Sequence, residues 1–261
     1  MNRGRMVFNR FQGTLTLCAG LALASPAAVW ATEVVGMAQV PADAAPGAKA
    51  RTPARIEVLA AREAVRPDGR LVAVDDPTRL SAMIADGELE AWVGVIPEGA
   101  DLEAGVRLTS LKYPVSPMAI MRTDTDIHDW QALSGRTVCL AADGRYVGEL
   151  AARYGAIEQV YPSTADALLG MRTGQCDAMV HDQAFLQELL ALPEWKKFSA
   201  QLKPYRQVDL VQVTKVDPPR PRALYALLVA TSPRRLTALT IGQVRETAFE
   251  VYLDQTVPDC H

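Results

Sequence analysis

The sequence contains few of the side chains that usually carry catalysis or bind metals. Three histidines, His128, His181 and His261, occur in 261 residues, and no two of them have the spacing of metal ligands. No G-x-S-x-G, H-E-x-x-H, phosphate-loop or C-x-x-C motif occurs. The glycines of EAWVGV and LGMRTG lie at predicted turns and not in a dinucleotide-binding fingerprint. We therefore expect no metal, no cofactor and no catalytic residue.

The sequence also lacks an excess of positive charge, and its formal net charge is −3 at pH 7. A mildly acidic chain argues against nucleic acid and anionic membranes as partners. At the N-terminus, three arginines precede an apolar run of about a dozen residues that ends in small residues at Ala31. This pattern predicts a signal peptide over residues 1–31 and export to the periplasm. An uncleaved anchor is the alternative, although the apolar run is short for a membrane span.

Cysteine is scarce beyond that segment, where Cys139, Cys176 and Cys260 remain. In an oxidising compartment, two of the three are expected to pair. Cys139 and Cys176 each lie near the start of a predicted strand, and neighbouring parallel strands would bring their sulfurs within bridging distance. The alternative is two free buried thiols. If they pair, Cys260 is left over.

Predicted strands and helices alternate in two blocks, which indicates an α/β protein with crossover helices and parallel sheets. Residues 107–127, an extended segment broken by Pro114 and Pro117, separate the blocks. Near the C-terminus, QVDLVQVTKV is predicted to be a half-buried edge strand and ALYALLVA an apolar strand. A final helix is predicted to follow Ser232. Two lobes joined by two strands would produce this order.

Four motifs of the second block occur in a characteristic order: LSGRTV, DGRY, ALLGMRTGQCDA and VHD. With them, residues 70–200 resemble periplasmic solute-binding proteins of the amino-acid-binding type, the bacterial extracellular solute-binding protein family 3. The first-lobe segments PTRLSAMIADGELEAWVGVIPEG and LTSLKYPVSPMAIMRTD are more loosely similar. The resemblance implies a two-lobed periplasmic-binding-protein-like fold, each lobe a mostly parallel sheet flanked by helices and joined by two hinge strands. Lobe 1 would comprise residues 32–121 and 223–261, and lobe 2 residues 122–222.

The resemblance also implies that Asp182, at the end of the strand in CDAMVHD, binds the ammonium group of a ligand. Ligands of open α/β sheets lie beyond the carboxyl ends of strands, where Asp182 is predicted to be. The alternative is that Asp182 caps the helix beginning at Gln183.

Five further residues are candidates for ligand binding. Asp143, Gly144, Arg145 and Tyr146 form a turn at a predicted helix N-terminus, whose N–H groups would suit a ligand carboxylate. Arg145 would supply a positive charge there, or else lie solvated on a loop. Tyr113 lies at the crossing between lobes, either as a ligand platform or as hinge packing.

The first lobe departs from the family pattern. Where the family has Thr-x-x-Arg, this chain reads IPEGADLEAGV, with no arginine before Arg107, and no aromatic residue lies between Met37 and Thr52. We expect a monomer that binds an amino acid-like, amine or organic acid solute between its lobes and serves an ABC transporter permease. The alternatives are a non-transport accessory protein, as for quinoprotein dehydrogenases, and a dehydratase that uses Asp182 or Glu98 as its acid.

Overall fold

The computed structural model describes residues 34–37, 50–65, 69–74, 76–97, 99–100, 102–217 and 221–256. The predicted signal peptide, Glu98 and Cys260 lie outside the described residues. In chain order, the helices and strands are β1 (Val34–Met37), α1 (Ile56–Ala64), β2 (Arg70–Ala73), α2 (Pro77–Asp86), β3 (Ala91–Gly94), β4 (Val106–Pro114), β5 (Pro117–Met121), β6 (Thr137–Ala141), α3 (Glu149–Tyr154), β7 (Ile157–Tyr161), α4 (Thr164–Arg172), β8 (Ala178–Asp182), α5 (Gln183–Leu190), β9 (Ala200–Leu202), β10 (Asp209–Lys215), α6 (Pro221–Ala230) and α7 (Pro233–Asp254). Short 3-10 helices cover Gln131–Leu133 and Pro193–Phe198.

The described strands form two five-stranded sheets, one in each lobe. The order is β2-β1-β3-β10-β4 in the first and β7-β6-β8-β5-β9 in the second. In each sheet, the three strands of the alternating block are parallel, and two further strands join it through antiparallel pairing. The predicted two-lobed α/β fold is confirmed, and one strand that runs against the other four makes each sheet mixed.

The chain crosses between the lobes twice, and the two crossings lie side by side. The first links β4 to β5 through Val115 and Ser116, and the second links β9 to β10 through residues 203–208. Val115 N donates to Val208 O at 2.8 Å, and Val208 N donates to Ser116 Oγ at 2.9 Å. Both crossings are short and hydrogen-bonded to each other, which is the geometry of a hinge.

The sheets place the crossings earlier than the sequence-based boundaries after residues 121 and 222. PMAIM, assigned to lobe 1 at the end of the extended crossing, is β5 and pairs with β8 and β9 of the second sheet. QVDLVQVTKV, assigned to lobe 2, contains β10 of the first sheet. The extended pattern of PMAIM identifies a strand but not the sheet it joins, because pairing depends on distant partners.

Two predictions near the C-terminus are wrong. ALYALLVA lies in helix α6 and not in a strand, because alanine and leucine favour helices and the segment packs against α1. QVDLVQVTKV forms an interior strand and not an edge strand, since β10 pairs with β3 and β4 on its two sides. Gln212 of this strand is polar but buried, and its Oε1 accepts a hydrogen bond from Thr231 Oγ1 at 3.3 Å.

Helix α7 follows Ser232 as predicted and packs against both lobes. It contacts α1 and β4 of the first lobe and α4 and α5 of the second. Thr240 forms a hydrogen bond with the hydroxyl of Tyr113 on β4, while Val244 and Val251 join the second-lobe core. Its 22 residues span about 33 Å at 1.5 Å per residue, long enough to run along both lobes.

The predicted disulfide between Cys139 and Cys176 is present. Cys139 lies on β6 and Cys176 just before β8, and these strands are parallel neighbours with Cys139 opposite Met179. The bond ties the start of β8 to β6 at the end of the sheet opposite Asp182. None of the helices in the described ranges is long and apolar enough to cross a bilayer.

Candidate functional site

Asp182 ends strand β8 in the second lobe, and its carboxylate is turned towards the Asp143–Tyr146 turn. It is only 5% exposed, and its side chain makes no capping hydrogen bond to α5. Both carboxylate oxygens accept hydrogen bonds from Arg145 Nε at 3.1 Å. Asp182 thus occupies the N-cap position of α5, but its carboxylate binds Arg145 of the neighbouring turn.

Tyr146 connects this carboxylate to the hinge. Its buried hydroxyl lies 2.7 Å from Asp182 Oδ1 and 2.8 Å from Val115 O, which belongs to the first crossing. The single hydroxyl proton can be donated to either acceptor. Burial, and next the negative charge of Asp182, raise the pKa of Tyr146 well above its ordinary value. The tyrosine therefore remains a neutral donor between the site and the crossing.

Arg145 joins the two lobes. Its Nη1 donates to Glu57 Oε1 at 2.8 Å and its Nη2 to Glu57 Oε2, while Nε serves Asp182. Glu57 lies in the first turn of α1 in the first lobe and is 1% exposed. The planar guanidinium is thus held between two buried carboxylates, one from each lobe, a pairing for which its fork of donors is suited.

The segment before α1 makes a second set of contacts with the same turn. Arg55 Nε donates to Asp143 O at 2.9 Å, and its Nη2 donates to Gly144 O at 2.7 Å. The backbone N–H of Ala54 donates to Asp143 Oδ2 at 3.0 Å. Asp143 Oδ1 is also buried, yet no partner for it lies among the described residues. The Asp143–Tyr146 turn therefore contacts this segment of the first lobe mainly through oxygen atoms that accept hydrogen bonds.

The predicted helix start at Asp143 is wrong, because α3 begins at Glu149. Gly148, with a φ of 85°, turns the chain into that helix. The carboxylate of Glu158 accepts from Gly148 N at 2.6 Å and Ala151 N at 2.8 Å, so these amides already bind an acid of the chain. The Asp143–Tyr146 turn lies before the helix and does not offer its N-terminal amides to a ligand carboxylate.

The cluster carries an excess of one negative charge. It comprises the three carboxylates of Glu57, Asp143 and Asp182 and the two guanidiniums of Arg55 and Arg145. Burial alone would lower the pKa of Arg145, but the charges of Asp182 and Glu57 outweigh it and raise that pKa. For Arg55, burial and then the like charge of Arg145 lower the pKa. The balance of charge favours a further cation over an anion.

His181, next to Asp182, is a buried neutral acceptor. Its Nδ1 accepts a hydrogen bond from Asp182 N at 2.8 Å, and its Nε2 lies 3.4 Å from Thr164 Oγ1. Its ring packs on Phe185 with 4.2 Å between centroids, and burial lowers its pKa. The described residues contain no group of three histidine, cysteine or acidic side chains that could hold a metal ion.

Tyr113 forms no hydrogen bond to the cluster among the described residues. Its ring belongs to the first-lobe core, and its hydroxyl forms a hydrogen bond with Thr240 of α7. Burial raises its pKa to about 12. This arrangement agrees with the packing alternative given above for Tyr113.

The structure thus brings together five of the six candidate ligand-binding residues: Asp143, Gly144, Arg145, Tyr146 and Asp182. It adds Arg55 and Glu57, which sequence reasoning missed. A signal for Glu57 was available, because Ala60, Ala61 and Ala64 follow it at i+3, i+4 and i+7 on the buried face of α1. A carboxylate on such a face requires a buried partner.

A groove of about 820 Å³ lies elsewhere, between α7 and the second lobe. Its lining includes Arg172, Leu192, Arg245, Phe249 and Tyr252, and none of its lining residues belongs to the cluster. The candidate site is therefore the charged cluster between the lobes, which the chain fills with its own side chains.

Comparisons with known proteins give similarity at the level of solved structures. No family model and no curated protein matches the sequence. The GluR0 ligand-binding core in complex with L-glutamate is 15% identical over 82% of this chain and 98% of that chain, with a TM-score of 0.49. The GluR0 ligand-binding core from Nostoc punctiforme is 16% identical, with coverages of 79% and 96% and a TM-score of 0.48. A mutant of ArgBP from T. maritima is 17% identical, with coverages of 85% and 92% and a TM-score of 0.44.

Proposed function

We propose that the protein is an exported, monomeric solute-binding protein whose lobes close on a small polar solute at the Glu57–Arg145–Asp182 cluster. In this proposal the solute is handed to an ABC permease in the inner membrane. The observation that supports it is the chemistry of the surface between the lobes. Each lobe has an apolar core of its own, helix α7 packs on both, and charged side chains join the two lobes at the cluster beside the crossings.

Buried ion pairs are a poor means of holding two bodies together permanently. Removing both charges from water costs several kcal/mol, and an apolar contact of the same volume is often more stable. Charged groups are, however, readily solvated again when two surfaces separate. A charged surface beside two short crossings therefore suits lobes that open and close.

Thermal unfolding in the presence of amino acids, amines and organic acids tests this proposal. A solute at 100 times its Kd stabilises the folded state by about 2.7 kcal/mol, which gives a clear rise in Tm. Asp182→Ala should reduce that rise. Asp124→Ala, in an exposed pair with Arg122, is the matched control and should leave it intact. If no compound of the panel shifts the Tm, the proposal loses its support.

A second candidate, the non-transport accessory protein, is favoured by the way Arg145 fills the cluster. Arg145 engages both Glu57 and Asp182, so neither carboxylate is left for the ammonium group of a solute. Recovery of a large periplasmic enzyme with the tagged protein, together with no detectable solute, would favour this role. The dehydratase alternative finds no free acid at Asp182, since both of its oxygens accept from Arg145. Turnover of prephenate or arogenate would establish it.

A further inference from the structure

Arg145 is placed in the cluster as a bound solute would be. Its guanidinium contacts one carboxylate from each lobe, Glu57 and Asp182, and its side chain is only 9% exposed. These two carboxylates come from helix α1 of one lobe and the end of strand β8 of the other. A group bound to both at once holds the lobes together, which is what a solute does when it closes a two-lobed protein.

The surroundings of the guanidinium select for positive charge. The cluster already has one more carboxylate than guanidinium, and the buried Asp143 Oδ1 is an acceptor without a partner among the described residues. An incoming anion would have to displace Glu57 or Asp182 from Arg145 and leave a buried carboxylate unpaired. An incoming cation would replace Arg145 and leave every carboxylate paired.

We propose that Arg145 is a built-in occupant of the cleft, and that the solute is a small cation with a guanidinium or amino group that replaces it between Glu57 and Asp182. This inference rests on the proposed function, because it names the class of solute for the same cluster. The replaced side chain swings out to water as the lobes part. Arg145 and the solute therefore compete for one pair of carboxylates.

Competition with a tethered group has a measurable consequence. The apparent affinity for a solute is reduced by the fraction of molecules in which the site is free. Removing Arg145 should therefore raise the affinity for cations. Arg145→Ala deletes the occupant and keeps Glu57 and Asp182 in place.

Isothermal titration of the full chain with methylguanidinium and with putrescine is the direct test. We expect Arg145→Ala to bind methylguanidinium at least about tenfold more tightly than wild type. Adding Glu57→Gln to that variant should lower the affinity for methylguanidinium about tenfold, since one charge-assisted contact is lost. Arg235→Ala is the control for net charge, because Arg235 pairs with the exposed Glu63 away from the cluster. It should bind no more tightly than wild type.

Folding of the variant is checked by circular dichroism before titration. If Arg145→Ala is unfolded, Arg145→Gln replaces it, since glutamine removes the competing charge and keeps one amide donor. A folded variant that binds methylguanidinium no better than wild type, or that prefers acetate, overturns the inference.

The two proposals fail separately. If the wild type binds a solute but Arg145→Ala gains no affinity for cations, the inference is wrong and solute binding stands. If Arg145→Ala gains affinity for cations but the wild type binds no solute, Arg145 is an occupant that no solute replaces. The proposed function as a transport solute-binding protein is then wrong.

Discussion

Glu57 and Arg145, 88 residues apart in the chain, form the ion pair that closes the first lobe on the second, with 2.8 Å between Oε1 and Nη1. Neither side chain has appreciable contact with water. Each also belongs to a local structure that fixes it, α1 for Glu57 and the turn after β6 for Arg145. The pair therefore reports on whether the lobes are closed.

Glu57→Gln should weaken this closure. The amide keeps one acceptor for Arg145 but loses the charge, and we expect a loss of about 2 kcal/mol in the free energy of unfolding. The Ala54 amide, which donates to Asp143 Oδ2 across the same contact, should exchange its hydrogen faster. Urea denaturation and hydrogen exchange measure the two effects. Glu63→Gln, in the exposed pair with Arg235, should lose less than about 1 kcal/mol. Equal losses in the two variants would contradict the prediction.

His181 should make the protein less stable in mild acid. Burial lowers its pKa below the ordinary 6.5, so the unfolded chain takes up a proton that the folded chain resists. Stability is therefore lost as the pH falls from 6.5 towards the folded pKa. His181→Asn keeps an acceptor for Asp182 N but does not titrate. Relative to wild type, its stability should improve between about pH 7 and about pH 5 in urea denaturation. If the free energies of unfolding of the two proteins change in parallel with pH, His181 does not contribute to the loss of stability in acid.

The ionisation of Tyr113 should affect the stability of the folded protein at alkaline pH. Burial raises its pKa from 10.0 to about 12, so the unfolded chain loses the proton first and stability falls as the pH rises from 10.0 to about 12. Tyr113→Phe loses the hydrogen bond to Thr240, which costs about 1 kcal/mol at neutral pH. Because phenylalanine does not ionise, this gap should shrink above pH 10.0. Tyr146 and Tyr205 remain in both proteins, so the difference isolates Tyr113. A gap that stays constant in urea denaturation up to about pH 11 would disprove the prediction.

The disulfide should contribute stability through the unfolded chain. Cys139 and Cys176 are 37 residues apart, and closing a loop of that length is worth about 4 kcal/mol in the chain-entropy description. Replacing both cysteines with serine should lower the free energy of unfolding by about that amount. Reductant should destabilise the wild type and leave the double variant unchanged. A reductant effect of similar size on both proteins would refute the assignment.

Much of the fold could be read from local patterns. The alternation of strands and helices, the helix after Ser232 and the position of Asp182 at a strand end all depend on a few neighbouring residues. The disulfide could be predicted because Cys139 and Cys176 start two strands of one block. Local patterns do not identify α6, because its apolar run suits a buried strand as well as a helix and only its packing on α1 distinguishes the two. They failed again for β10, whose position depends on its partners β3 and β4.

The sequence by itself determined that Asp182 would end one strand and that Arg145 would follow another, because period and spacing are local properties. Only the tertiary structure decided that their partner is Glu57, since an ion pair between residues 88 apart depends on how distant parts of the chain come together. The first lobe, which lacks the family's Thr-x-x-Arg, presents the carboxylate of Glu57, and the second lobe supplies Arg145, which binds it.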